Sequence, residues 1–161
     1  MMKKTILCAL VALISLVANA QSLFTSEVTG FTCITPENAV VIKNDNDAAI
    51  IASPDEGFVI SAIPFQPSIT SEEDVTNSIK TLAESVDIDL ETAIDVDLNN
   101  NLLEGGLFIQ AGDDHSGACV GVMKVKGGDL AYYITISCEA QYEDIMDSLL
   151  KSLDFNPDAV E

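Results

Sequence analysis

Residues 107–138, LFIQAGDDHSGACVGVMKVKGGDLAYYITISC, decide the fold of this chain. Three runs rich in apolar and β-branched residues are separated by two clusters of Gly, Asp and Ser, at residues 112–117 and 127–129. Glycine permits a positive φ, and Asp and Ser side chains bond the nearby backbone, so such clusters reverse the direction of the chain. The pattern predicts a meander of three antiparallel strands.

The last hairpin of this stretch carries two cysteines on one face. A two-residue loop at Gly128 and Asp129 would place Cys119 directly opposite Cys138. We therefore predict that any disulfide joins Cys119 and Cys138. Cys33 is then left over, although a pairing of Cys33 with either of the other two remains open at this point.

Further short strands are predicted on both sides of a helix. The β-rich runs before the helix are bounded by Asn, Asp, Pro and Gly, and they cover residues 31–34, 39–43, 48–52 and 58–63. After the helix, residues 92–99 alternate between polar and apolar side chains, which predicts a half-buried strand. We expect the next strand, residues 107–111, to begin after Gly105 and Gly106.

Two amphipathic helices are predicted. The first begins at the N-cap Ser71, and the three acidic residues that follow suit the positive end of the helix dipole. Its apolar stripe consists of Val75, Ile79, Leu82, Ala83 and Val86. The second stripe consists of Tyr142, Ile145, Met146, Leu149 and Leu153. Since helices set between runs of strands are typical of an α+β fold, we predict a mainly antiparallel sheet of about seven to eight strands in two meanders, covered by two helices on one face or both.

The first twenty residues have the pattern of a secretory signal peptide. Lys3 and Lys4 precede an apolar run over residues 5–17, and Ala18-Asn19-Ala20 is a small-residue cleavage site. We predict cleavage near Ala20, a secreted or periplasmic location, and no stable membrane insertion after the signal is removed. Residues 21–161 are then a single domain, with its core over about residues 28–156.

The charge of the chain limits its partners. It has 26 acidic residues against seven basic ones, no arginine, and a formal net charge of −19. Such a surface repels nucleic acid and anionic lipid, so both are excluded as partners. A protein or another component of the cell envelope is the expected partner. No cofactor is expected.

Calcium is the alternative ligand. Asp95, Asp97 and Asn99 have the spacing that opens a calcium-binding loop. The match then fails, because Asn100 stands where the loop needs Gly and Gly106 where it needs a bidentate Glu. The other acidic candidates are Asp113 and Asp114, in the turn at residues 112–117. Turn chemistry and the solvent face of a strand also account for these side chains without a metal.

No catalytic constellation is evident. His115 is the one histidine and lies in a predicted turn, while Ser116 lacks the flanking glycines of a nucleophile elbow. We therefore predict a non-enzymatic binding protein, with an unrecognised hydrolase as a further alternative. The candidate binding surface is an apolar patch at Phe58, Phe65 and Ile69, beside a proline-broken loop. Burial under the following helix is the competing expectation for these side chains.

Three motifs together resemble the Mog1/PsbP-like group of proteins. They are the opening GFTCITPE at residues 30–37, the capped helix SEEDVTNSIKTLAESV at residues 71–86, and the closing EDIMDSLLKSLDF at residues 143–155. The closing motif contains the Lys-Ser-Leu-x-Phe end that is common in bacterial secreted proteins of the group. The resemblance implies the same α+β fold and a binding or accessory role. It implies no functional residue.

Overall fold

The computed structural model describes residues 20–160. Residues 1–19, which hold all but the last residue of the predicted signal peptide, lie outside the described part. The strands are β1 Gln21–Thr25, β2 Phe31–Pro36, β3 Val40–Asn44, β4 Ala49–Ala52, β5 Phe58–Phe65, β6 Ile94–Asn99, β7 Leu103–Ala111, β8 Gly117–Val125, β9 Ala131–Cys138 and β10 Asp154–Phe155. The helices are α1 Glu72–Ser85 and α2 Met146–Ser152, with 3-10 turns at Pro67–Ile69, Ala140–Ile145 and Pro157–Ala159.

The main sheet has seven strands in the order β3-β4-β5-β9-β8-β7-β6, and every neighbouring pair is antiparallel. Strands β3 to β5 form one meander and strands β6 to β9 form the other. The two meanders join where β5 pairs with β9. The predicted α+β class with a mainly antiparallel sheet is confirmed.

Helix α1 covers one face of this sheet. The Ser71 side chain accepts a hydrogen bond from the Asp74 backbone N–H, as predicted for the N-cap. Ala83 of the helix packs with Ile88 and with Val120 of β8 in a small buried cluster, to which Phe108 of β7 also contributes. The apolar stripe therefore lies over the centre of the second meander.

The larger core lies on the opposite face. Cys119 and Met123 of β8 point away from Val120, and they pack with Phe31 of β2 and Leu149 of α2. The Tyr132 hydroxyl donates a hydrogen bond of 2.6 Å to the Thr29 carbonyl, which ties this face to the loop before β2. A second sheet, β1-β2-β10, and helix α2 together cover this face. The two predicted helices thus cover opposite faces of the main sheet.

Two strands are additional to the predicted set, and β5 and β7 differ from their predicted extent. β1 and β10 are additional to the predicted set, and with β2 they form the small sheet. β5 continues through Pro64 to Phe65, because β4 pairs with it no further than Ala62 and the missing proline N–H costs no ladder bond. β7 begins at Leu103 rather than residue 107.

The earlier start of β7 places Gly105 and Gly106 inside the strand. A Cβ on Gly105 would overlap the Val122 carbonyl oxygen of β8. A Cβ on Gly121 of β8 would overlap the Gly106 carbonyl oxygen in the same way. These glycines permit a close approach of two strands, whereas the sequence suggested a break before the strand.

The register of the β8–β9 hairpin differs from the predicted one. Val125 donates its N–H to the Leu130 carbonyl at 2.8 Å, so the loop has four residues rather than two, and Gly127 adopts a φ of +75° within it. As a result, Cys119 lies opposite Ile136, and Cys138 lies opposite Gly117. The two cysteines share a face but are offset by two residues, and the predicted opposition is wrong.

Candidate functional site

The acidic side chains of β6 lie along one exposed face of an extended strand. Asp95, Asp97 and Asn99 alternate with Ile94, Val96 and Leu98, as predicted. In a strand, residues two apart are separated by about 6.6–6.8 Å, whereas a calcium loop wraps its ligands around one ion at about 2.3–2.6 Å. Among residues 20–160, no group of three or more His, Cys, Asp or Glu side chains is placed to hold a metal. Calcium binding stays a prediction.

The side chains of the turn after β7 form hydrogen bonds within the turn and with Glu143. Asp114 accepts hydrogen bonds from the Ser116 hydroxyl at 2.6 Å and from the Ser116 N–H at 3.1 Å, and these bonds lower the pKa of the carboxyl. His115 has a φ of +67° and lies 3.2 Å from a carboxylate oxygen of Glu143. Asp113 is exposed beside them. The arrangement is an ordered, exposed turn.

The three cysteines of the described residues are buried, free thiols. Burial raises the pKa of Cys119 to about 12 and raises the pKa values of Cys33 and Cys138 as well. A neutral thiol is a poor nucleophile, and the raised pKa values keep all three thiols neutral near pH 7. The disulfide between Cys119 and Cys138 stays a prediction.

Asp55 lies in the turn at residues 53–57 between β4 and β5, which the sequence also indicates as a turn. It accepts hydrogen bonds from the Ser53 hydroxyl at 2.5 Å, the Tyr142 hydroxyl at 2.8 Å and the Gly57 N–H at 3.2 Å. The bond from Ser53, followed by that from Tyr142, lowers the pKa of Asp55 to about 2. Asp55 thereby ties the β4–β5 turn to the segment after β9.

The predicted apolar patch is divided between core and surface. Phe58 is fully buried, and Phe65 stacks on Tyr133 with ring centroids 4.2 Å apart. Ile69 is 79% exposed, because the Ser68 N–H and hydroxyl both bond Asp129 and hold the 3-10 turn outward. A single exposed isoleucine does not make a patch.

Among the cavities formed by residues 20–160, two open at the surface beside strands of the main sheet. One of about 250 Å³ lies between the end of α1 and the turn after β7, and Asp87, Ser116 and Cys138 are among its lining residues. The other, of about 300 Å³, is more apolar and lies between the β1–β2 turn and the tip of the β3–β4 hairpin.

Strand β3 exposes several large apolar side chains in succession. It forms one edge of the main sheet, and among the described residues it pairs with β4 alone. Val40, Val41 and Ile42 are exposed by 46%, 53% and 62%, although large apolar side chains normally lie inside. The pairing with β4 slips between Val41 and Lys43, which leaves Ile42 in a bulge without a partner. We call this surface, residues 40–42 with their unpaired backbone, the β3 edge.

The charges beside the β3 edge belong to the hairpin tip. The Lys43 ammonium lies 3.5 Å from Asp45 and 3.7 Å from Asp47, so its charge is directed toward the loop. Asp45 also accepts hydrogen bonds from the N–H groups of Asp47 and Ala48, and the first of these is the main cause of its lowered pKa. Native edge strands commonly carry charges that prevent pairing with another chain, and residues 40–42 carry none.

The sequence did not reveal this surface, because a continuous apolar run is equally typical of a buried strand. The strand order of the sheet distinguishes the two cases. The turn residues Asn44 to Asp47 indicate a hairpin between β3 and β4, but a hairpin does not determine whether the other side of β3 is paired.

Comparison with known proteins shows similarity of fold. No protein-family model matches this chain, and no curated protein matches its sequence. The solution structure of cyanobacterial PsbP (CyanoP) from Synechocystis sp. PCC 6803 is similar with a TM-score of 0.49 and 12% identity, over 85% of this chain and 93% of that one. A crystal structure from Bacteroides thetaiotaomicron VPI-5482 is similar with a TM-score of 0.43 and 8% identity, over 84% of this chain. This chain spans about half of the Bacteroides protein, 48% of its length. A PsbP structure is thus among the similar folds, as the sequence resemblance predicted.

Proposed function

We propose that this protein is a non-enzymatic binding domain that acts outside the cytoplasm and binds an extended segment of a partner protein along the β3 edge. The observation that carries the proposal is the row of three exposed apolar side chains beside an unpaired strand backbone. An extended peptide can add to such an edge as a further strand. Main-chain hydrogen bonds then supply affinity, and side-chain contacts supply specificity.

Two further features support this reading. The signal-peptide pattern of residues 1–20 favours a location where envelope proteins are the available partners. The three thiols are buried, and Asp114 and His115 form contacts with Ser116 and Glu143, so these candidates for catalysis support a binding role instead. A strand of about five residues buries less than about 1,200 Å², which is typical of weak and transient complexes.

Site-specific photocrosslinking in the producing cells tests the proposal. A photoreactive side chain is placed at Val41, and at Ile94 on the opposite edge as the matched control. We expect a discrete adduct from position 41 that is lost when Ile42→Asp is added, and no such adduct from position 94. Equal adducts from both positions, or an adduct that survives Ile42→Asp, would contradict the proposal. The N-terminal sequence of the same purified protein tests export, for which we expect Gln21 as the first residue.

A further inference from the structure

The chemistry of the β3 edge narrows the class of partner, in an inference that rests on the proposed function. We propose that the segment bound there is apolar in its middle and cationic at its ends, and that it belongs to a basic protein. The two parts of this statement come from different residues.

The apolar middle follows from what the edge presents. Val40, Val41 and Ile42 occupy three consecutive positions, and the bulge at Ile42 leaves this side chain unpaired with β4. Because successive side chains of a strand lie on opposite faces, an added strand would place apolar groups beside Val40 on one face and beside Val41 on the other. This would remove apolar surface from water on both partners. A polar strand would bury polar groups there without hydrogen-bond partners.

The cationic ends follow from the charges that flank the edge. Glu37 lies exposed before β3, and Asp45 and Asp47 lie exposed after it. In the sequence, Lys43 is the one basic residue between residues 31 and 79. It already pairs with both aspartates, so the segment that flanks β3 is negative overall. The whole chain adds to this field with a net charge of −19. A basic segment is therefore attracted along its whole approach, while an acidic one is repelled.

The same charges disfavour a second copy of this chain as the occupant. Two β3 edges brought side by side would place the acidic flanks of both copies together. Like charges placed across an interface cost binding energy, and each copy carries a net charge of −19. The proposed occupant is accordingly a different protein of opposite charge.

Peptide binding tests the inference on the purified protein. The first probe is a fluorescent peptide of five alternating threonine and valine residues, the usual length of a strand, with two lysines at each end. The second probe has glutamates in place of the lysines. The third is the lysine peptide with alternate backbone amides methylated, which removes the donors of one strand edge. Binding is measured by anisotropy, and hydrogen exchange of residues 40–44 locates it.

We expect the lysine peptide to bind and to protect the amides of β3, and the glutamate peptide to bind at least about tenfold more weakly, with the gap narrowing as salt is raised. The methylated peptide should lose most of the affinity. Val41→Asp separates strand addition from simple charge attraction. It should weaken binding of the lysine peptide although it adds negative charge, whereas Ile94→Asp on β6 should not.

The outcomes distinguish the two proposals. If both peptides protect β3 with equal affinity, the edge binds segments but the cationic chemistry is wrong. If neither peptide protects β3, the proposed function fails with it. Binding that Val41→Asp strengthens, or that methylation leaves unchanged, would mean charge attraction without strand addition and would overturn the inference. A dimer detected by sedimentation that Val41→Asp dissociates would make a second copy the occupant and would also overturn it.

Discussion

Strands β3 and β6 are the two edges of the same sheet, and their surfaces are opposite in character. β6 reads IDVDLN and places Asp95 and Asp97 between its apolar residues, while β3 reads VVIKN and exposes three apolar residues in a row. Charged side chains on an edge discourage pairing with another chain, which is the usual protection of natural sheets. The two edges of one sheet therefore differ in whether they resist pairing with another chain, and four experiments test this difference.

The largest expected loss of stability comes from Gly105→Ala, a substitution in β7, the strand that pairs with β6. The new Cβ would overlap the Val122 carbonyl oxygen, so β7 must move away from β8. Overpacking of this kind costs about 1–3 kcal/mol of unfolding free energy, measured by urea denaturation. Gly106→Ala is the matched control on the next residue, because its nearest neighbour would be an Asp95 oxygen at an ordinary 3.5 Å. Equal losses in the two variants would show that the close approach of β7 and β8 is not what requires Gly105.

The second-largest effect is expected on peptide binding, when the charges that discourage β6 from pairing with another chain are removed. With Asp95→Val and Asp97→Val, both edges carry exposed apolar side chains, so the lysine peptide should find a second site. We expect the stoichiometry to rise from one to two, with affinities within about tenfold, or about 1.4 kcal/mol, of each other. Titration with hydrogen exchange of β6 measures this. Glu73→Val with Glu84→Val, on the exposed side of α1, controls for the lost charge. A second site in that control, or none in the β6 variant, would contradict the role of the aspartates.

A smaller, pH-dependent effect on stability is expected for Asp55, which lies between β4 and β5 in the meander that contains β3. Hydrogen bonds lower the pKa of Asp55 from 3.8 to about 2, so its charged form stabilises the fold. This contribution is complete above the unfolded pKa of 3.8 and is lost as the pH falls toward about 2. Asp55→Asn should melt at a lower temperature than the native protein at pH 5–7, and the two melting temperatures should converge near pH 2. Asp158→Asn, at another exposed carboxylate, is the control. A gap that stays constant with pH would exclude the charge of Asp55 as its cause.

The smallest effect is expected for Val41→Asp on stability. Val41 is 53% exposed and packs little, so the unfolding free energy should change by less than about 0.5 kcal/mol. The same variant is expected to weaken peptide binding, which would separate the binding role of the β3 edge from any role in folding. Urea denaturation provides the measurement. A loss of more than about 2 kcal/mol would show instead that residue 41 belongs to the core.

Local patterns predicted most of the elements because their causes are local. The N-cap at Ser71 needs residues within one turn, and the alternation of β6 needs a neighbour two positions away. The register of the β8–β9 hairpin was harder to predict from the sequence, because Gly127 and Gly128 permit both a two-residue and a four-residue loop. A slip of one position on each strand was enough to move Cys119 from Cys138 to Ile136.

The fold class and the net charge follow from the sequence alone. Alternation, capping and turn residues lead to an α+β domain with two meanders, and 26 acidic residues against seven basic ones give a net charge of −19. Which strand lies at an edge follows only from the order of the strands in the folded sheet. In the sequence, residues 40–42 have the pattern of an ordinary apolar strand. In the structure, the order β3-β4-β5-β9 leaves one side of β3 unpaired. Exposure depends on neighbours that are distant in the chain, since β5 pairs with β9 across more than sixty residues, and no local pattern contains that information.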